Sequence, residues 1–139
     1  LGTSQMQVAA VTALLEKLGH SIVICHSQGA EISFDAIQLA SATVSTVIAV
    51  EPSSAPQSLD TYHQTRFVIV QGDYLTINDT WRSRADSWAS IIAELSAHNT
   101  HAALIDLPSA LGPGNTHLPM VDSNSDRCLD VSLQAAGLA

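Results

Sequence analysis

The sequence predicts an α/β domain: a mainly parallel sheet of about four strands with helices on both faces. Three observations carry that expectation. Short apolar runs rich in β-branched residues occupy Ser21–His26, Val44–Val50 and Arg66–Gln71. Between them lie longer segments whose apolar residues recur at helical spacing, and such alternation implies parallel strands joined by crossover helices. The composition agrees, since 46% of the 139 residues are hydrophobic and only 13% are charged, as buried parallel strands require.

The elements follow in order. Thr3 or Ser4 is expected to cap a helix running to about Leu18, with Val8, Val11, Leu15 and Leu18 on its inner face and Gly19 ending it. Strand Ser21–His26 leads into a helix extending to about Ser41, whose Ala30, Phe34, Ile37 and Ala40 share one stripe. Strand Val44–Val50 ends at Glu51-Pro52; proline holds the residue before it in extended geometry, so Glu51 is expected as the last strand residue or the first of a loop. Residues 53–65 are polar and read as a surface loop. After strand Arg66–Gln71 and its exit turn Gly72-Asp73, Asn78 or Asp79 caps a helix to about His98, with Ala85, Trp88, Ile92 and Leu95 inward. A fourth strand is expected over His101–Leu107, a loop over Pro108–Pro119, and a last helix over Ser125–Ala136 with Leu129, Leu133 and Ala136 inward.

Charge and composition exclude several roles. The net charge is −8 and Lys17 is the single lysine, which argues against nucleic acid or an anionic membrane surface as partner. No apolar run approaches a membrane span. Cys25 and Cys128 do not make a disulfide framework, and Cys25 is expected to serve as a small buried residue. The residues assign no compartment. Scarce lysine and abundant serine, threonine and alanine are compatible with a secreted protein.

The stretch that organises the chain is Ile22-Val23-Ile24-Cys25-His26-Ser27-Gln28-Gly29-Ala30. It reads as a buried strand, a sharp turn carrying a serine, and a helix start. Small residues stand two positions either side of Ser27, as a tight strand-to-helix turn demands. This is the nucleophile elbow, with Cys25 in place of the usual first glycine. It exposes the serine hydroxyl and sets the Gln28 N–H behind it as a donor for a developing oxyanion.

A serine hydroxyl needs a base, and the base needs an acid that fixes its tautomer. Six histidines compete for the first role. His20, His26, His63, His98 and His101 sit in or beside regular elements or in a polar loop, whereas His117 follows the last strand in a glycine- and proline-bearing loop. It is the expected base. Two carboxylates compete as the acid: Glu51 at the exit of the second strand and Asp73 at the exit of the third, and spacing does not decide between them.

Cys25-His26-Ser27-Gln28-Gly29, Val50-Glu51-Pro52, Gly72-Asp73 and Gly114-Asn115-Thr116-His117 together resemble the α/β-hydrolase superfamily. More narrowly, they resemble a bacterial esterase subgroup in which a glutamate after the strand following the elbow is the acid. Met120, Asp122 and Asn124 fit that pattern as well. The resemblance implies Ser27 as nucleophile, Glu51 as acid, His117 as base and a supporting place for Asp73. It implies a small-molecule ester as substrate and needs no metal or organic cofactor.

One departure is large. A complete α/β-hydrolase has several strands before the elbow strand, and only one helix precedes Ser21 here. The chain is therefore expected to be the C-terminal part of such a domain, without the loop that carries the second oxyanion donor. The exposed edge of the first strand is expected to be covered by a second polypeptide. A competing expectation is a non-catalytic fragment or binding module that keeps the fold without turning over.

Overall fold

The computed structural model describes residues 2–98 and 101–139. Four parallel strands lie side by side in chain order: β1 (Ser21–His26), β2 (Val44–Val50), β3 (Arg66–Gln71) and β4 (Ala102–Asp106). The register pairs Cys25 with Ala49, Ala49 with Ile69, and Ile69 with Leu104. Five α-helices accompany them: α1 (Thr3–Leu18), α2 (Gln28–Leu39), α3 (Asp79–Ala97), α4 (Leu107–Leu111) and α5 (Ser125–Ala135).

Consecutive parallel strands joined by right-handed crossovers place the connecting helices on one face of the sheet. The cores follow that rule. Ala30, Phe34, Ile37, Trp88, Ile91 and Leu95 of α2 and α3, with Leu15 of α1, pack against Val47, Ala49, Phe67 and Ile69. The alternate side chains, Ile48, Val50, Val68 and Val70, face the other way and meet Leu107, Cys128 and Ala136. β2 and β3 are thus covered on both faces, which is why both read as nearly unbroken apolar runs. β1 is not: Ile22 and Ile24 are 49% and 56% exposed.

Several expectations need correction. Gly2, not Thr3 or Ser4, is the N-cap of α1, and Leu18 points to solvent. α2 ends at Leu39 and a 3₁₀ turn, Ser41–Thr43, follows. The segment 53–65 is not wholly superficial, since a 3₁₀ turn at Asp60–Tyr62 buries Tyr62 edge-on against Phe34 and Phe67. Burial raises the pKa of the Tyr62 hydroxyl, and nearby Cys25 and Asp35 reinforce the shift. The long helix α3 is capped by the Asn78 side chain, which accepts the Trp81 N–H at 3.0 Å.

The strand expected over His101–Leu107 is one residue shorter at each end. The loop expected from Pro108 onward begins instead with the short helix α4, whose N-cap is Asp106 with proline in its first turn. Of the residues expected inward on the last helix, Ala136 is buried and Leu133 packs against the same cluster, but Leu129 is exposed and Cys128 and Ser132 are buried instead. Leu129 therefore remains an apolar group facing water, in a cleft that it lines together with Ile24 of β1.

Candidate active site

Ser27 stands between β1 and α2 with φ 50° and ψ −123°. Backbone of this kind is costly for any residue but glycine, about 1–3 kcal/mol, and must be held from outside. It is. The Ser27 N–H donates to the Val50 carbonyl at 3.1 Å, and the Ser27 carbonyl accepts from the backbone N–H and hydroxyl of Ser53 at 3.1 and 3.2 Å. Gln28 opens α2 directly behind the serine. Cys25 is buried as expected, and burial pushes its thiol up to about 12 despite a hydrogen bond with Ser33. Gly29 is a different matter. A Cβ built there meets no heavy atom within 4 Å, so nothing in the described residues requires glycine at that position.

Glu51 leaves β2 with φ 42°, a second strained non-glycine backbone and not the extended geometry expected before Pro52, held there because its N–H donates to the Val70 carbonyl at 2.8 Å. That kink turns the side chain inward, where the residue is 1% exposed. A buried carboxylate must be hydrogen-bonded, and each Glu51 oxygen has a partner. Oε1 accepts the Gly72 N–H at 2.6 Å, and Oε2 accepts from His117 Nδ1 at 2.5 Å. The other ring nitrogen, His117 Nε2, lies 3.0 Å from Ser27 Oγ. One hydrogen-bonded series thus runs from Ser27 through His117 to Glu51, joining residues 90 and 66 positions apart. With Nδ1 donating to the carboxylate, Nε2 is the acceptor facing the serine hydroxyl.

Asp73 does not touch His117. Its Oδ2 accepts the Gly114 N–H at 3.0 Å, its Oδ1 accepts the Tyr74 N–H at 2.7 Å, and its own N–H donates to the Asn115 carbonyl at 2.8 Å. It ties the loop carrying His117 to the end of β3. The other side of that loop is fixed by Asn115, which is 2% exposed and donates from Nδ2 to Asp122, Asn124 and Cys128 Sγ. Asp122 in turn accepts the Thr116 N–H at 2.7 Å and the Thr116 hydroxyl at 2.9 Å. Slight burial pushes the Asp122 carboxyl up, but the Thr116 and Asn115 hydrogen bonds outweigh it and hold the group below its ordinary 3.8.

Two residues that the sequence does not single out complete the surroundings of the imidazole. His26 Nε2 lies 2.8 Å from the His117 carbonyl oxygen, so this nitrogen carries the proton, and the two rings are 4.7 Å apart. Trp81 meets His117 edge-on at 4.8 Å. The one legible signal for His26 is its position immediately before Ser27; Trp81, three residues after a helix cap, offers none. His20, His63, His98 and His101 stand elsewhere, with His63 stacked on His98 at 4.2 Å. Among the described residues, no cluster of His, Cys, Asp and Glu is arranged to hold a metal ion. Among the described residues, likewise, no helix is long and apolar enough to cross a membrane.

No protein-family model matches the chain, and no curated protein matches it. Among solved structures, a bacterial esterase determined at atomic resolution is similar over 100% of this chain, with a TM-score of 0.89 and 24% sequence identity. The chain spans 45% of the length of that esterase. What the two share is the α/β fold, with its four-stranded parallel sheet flanked by helices.

Proposed function

We propose that this chain carries the nucleophile, base and acid of a serine carboxylic-ester hydrolase that works through an acyl-enzyme. The observation that supports the reading is the hydrogen-bonded series Ser27–His117–Glu51 at 3.0 and 2.5 Å. Ser27 Oγ attacks the ester carbonyl carbon and passes its proton to His117 Nε2. The tetrahedral adduct collapses, the bond from carbon to the alcohol oxygen breaks, and His117 returns the proton to that oxygen. Water then adds to the acyl-enzyme with His117 again as base, releasing the acid and restoring the serine. Glu51 keeps Nδ1 protonated throughout and stabilises the imidazolium formed in each half.

Charge develops on the former carbonyl oxygen, and we assign the Gln28 N–H, at the first residue of α2, to receive it. One donor is half of an ordinary oxyanion hole, and losing such a donor costs about 2.7–4 kcal/mol, or roughly a hundred- to a thousand-fold in rate. We infer that the second donor comes from a further stretch of polypeptide, of this protein or another, pairing along β1. The exposed side chains of Ile22 and Ile24 support that place for it.

The test is ester hydrolysis by Ser27→Ala against the unaltered protein, with circular dichroism to establish that the fold is kept. Hydrolysis is expected to fall by at least about 10⁴-fold. A variant that retains the rate would overturn the reading.

A further inference from the structure

Beside His117 lies a cleft of about 300 Å³ that Ser27 does not line. Tyr74, Leu75, Ile77 and Trp81 line it, together with His117 and the carboxylates of Glu51 and Asp73. Tyr74 and Ile77 are 53% and 67% exposed, large apolar groups left in water between β3 and α3. Tyr74 also holds a left-handed backbone, φ 65°, with its N–H fixed on Asp73 Oδ1 at 2.7 Å. Trp81 is braced from two directions, by His117 at 4.8 Å and by the Arg84 guanidinium 4.7 Å from its ring centre. Strained, exposed apolar residues beside a hydrogen-bonded imidazole mark a place built for something other than packing.

We propose that this cleft receives the alcohol arm of the ester, and that the arm is apolar, carries no negative charge and is about the size of an aromatic ring. The inference rests on the ester-hydrolase reading and deepens it. His117 must deliver its proton to the departing alcohol oxygen, so the alcohol leaves on the imidazole side, where the cleft opens. The lining sets the chemistry. Asp73 and Glu51 repel an anionic arm, while the side chains of Leu75, Ile77 and Trp81 favour an apolar one. Size follows from volume: a cavity of about 150 Å³ holds benzene, so about 300 Å³ admits a ring with a short linker.

The experiment fixes the acyl group and varies the alcohol, comparing benzyl acetate, 4-carboxybenzyl acetate and ethyl acetate by kcat/KM. Benzyl acetate is expected to exceed both others by roughly tenfold or more, and Ile77→Ala is expected to lower the benzyl-to-ethyl ratio several-fold. A second readout needs no turnover. Trp88 is buried, so emission that responds to benzyl acetate in Ser27→Ala reports Trp81, and adding Trp81→Phe should abolish the response. Hydrolysis with no benzyl preference and no emission change overturns the cleft assignment while the hydrolase reading stands. Binding to Ser27→Ala with no hydrolysis of any ester by the unaltered protein overturns the hydrolase reading, and with it the assignment of the occupant as a leaving alcohol.

Discussion

Gly72→Ala probes how tightly the buried carboxylate is seated. A Cβ at this position would lie 2.7 Å from Glu51 Oε1, 2.8 Å from the Thr116 carbonyl oxygen and 3.0 Å from the Asn115 carbonyl oxygen. Two of those atoms are backbone of the loop that carries His117, so movement of the Glu51 side chain alone does not make room. Either the loop retreats or Glu51 moves, and both stretch the 2.6 Å bond from the Gly72 N–H and the 2.5 Å contact with His117. Overpacking costs about 1–3 kcal/mol. Weakening a hydrogen bond to a charged acceptor adds about 1.5–3 kcal/mol when complete. With only partial loss of that bond the sum is about 2–4 kcal/mol, a fall in Tm of roughly 10 °C for a chain of this length. A misplacement near 1 Å costs about a hundredfold in rate. Urea unfolding and ester kcat/KM measure the two effects. An alanine variant with an unchanged midpoint and a rate within twofold would show that the contacts around Gly72 do not position Glu51.

The remaining predictions separate the roles assigned to the other carboxylates and to Cys25. Glu51→Gln keeps an acceptor for Gly72 but no longer enforces the Nδ1–H tautomer, so kcat should drop by about 10⁴-fold while the fold survives; kinetics beside thermal unfolding checks this. Asp73→Asn sets an amide against the N–H of Gly114 or Tyr74, so stability should fall by about 1–3 kcal/mol with far less loss of rate than Glu51→Gln. The reverse ranking would make Asp73 the acid. Asp122 is held below its ordinary pKa in the folded chain, so its contribution is present above about pH 4 and is lost as pH falls through the lower folded value. Unfolding curves of Asp122→Asn and the unaltered protein should therefore differ at neutral pH and converge in acid. Cys25, with its thiol raised to about 12, should resist thiol reagents at pH 8 until the chain is unfolded, as titration with a chromogenic disulfide would report.

The framework was legible because buried parallel strands leave an unmistakable mark. Ser21–His26, Val44–Val50 and Arg66–Gln71 match the observed β1, β2 and β3 to the residue. Helix ends were less legible. Leu107-Pro108-Ser109 opens α4 because the Asp106 side chain caps it and proline suits a first turn, yet Pro108 and Gly112 together read as a loop. Leu129 was expected inward on spacing alone. The helix is instead turned so that Cys128 meets Asn115 beneath the His117 loop, and that contact cannot be read from α5 itself.

The site divides in the same way. The strand-turn-helix context marks Ser27, and the late glycine-bearing loop marks His117, both from local sequence. The choice between Glu51 and Asp73 is invisible to spacing, since each ends a strand beside the other. In three dimensions the left-handed kink at Glu51 turns one carboxylate onto the imidazole, and Asp73 is spent on backbone N–H groups. His26 and Trp81 reach His117 from 91 and 36 positions away, contacts that exist only once the sheet has brought β1, the start of α3 and the last loop to one edge.

The measurement that bears most directly on the nucleophile is intact mass after treatment with a fluorophosphonate, followed by peptide mapping. The unaltered protein should gain one phosphonyl group on Ser27, Ser27→Ala should gain none, and Glu51→Gln should react far more slowly. No adduct on the unaltered protein, or an adduct that persists in Ser27→Ala, would contradict a Ser27–His117–Glu51 hydrolase.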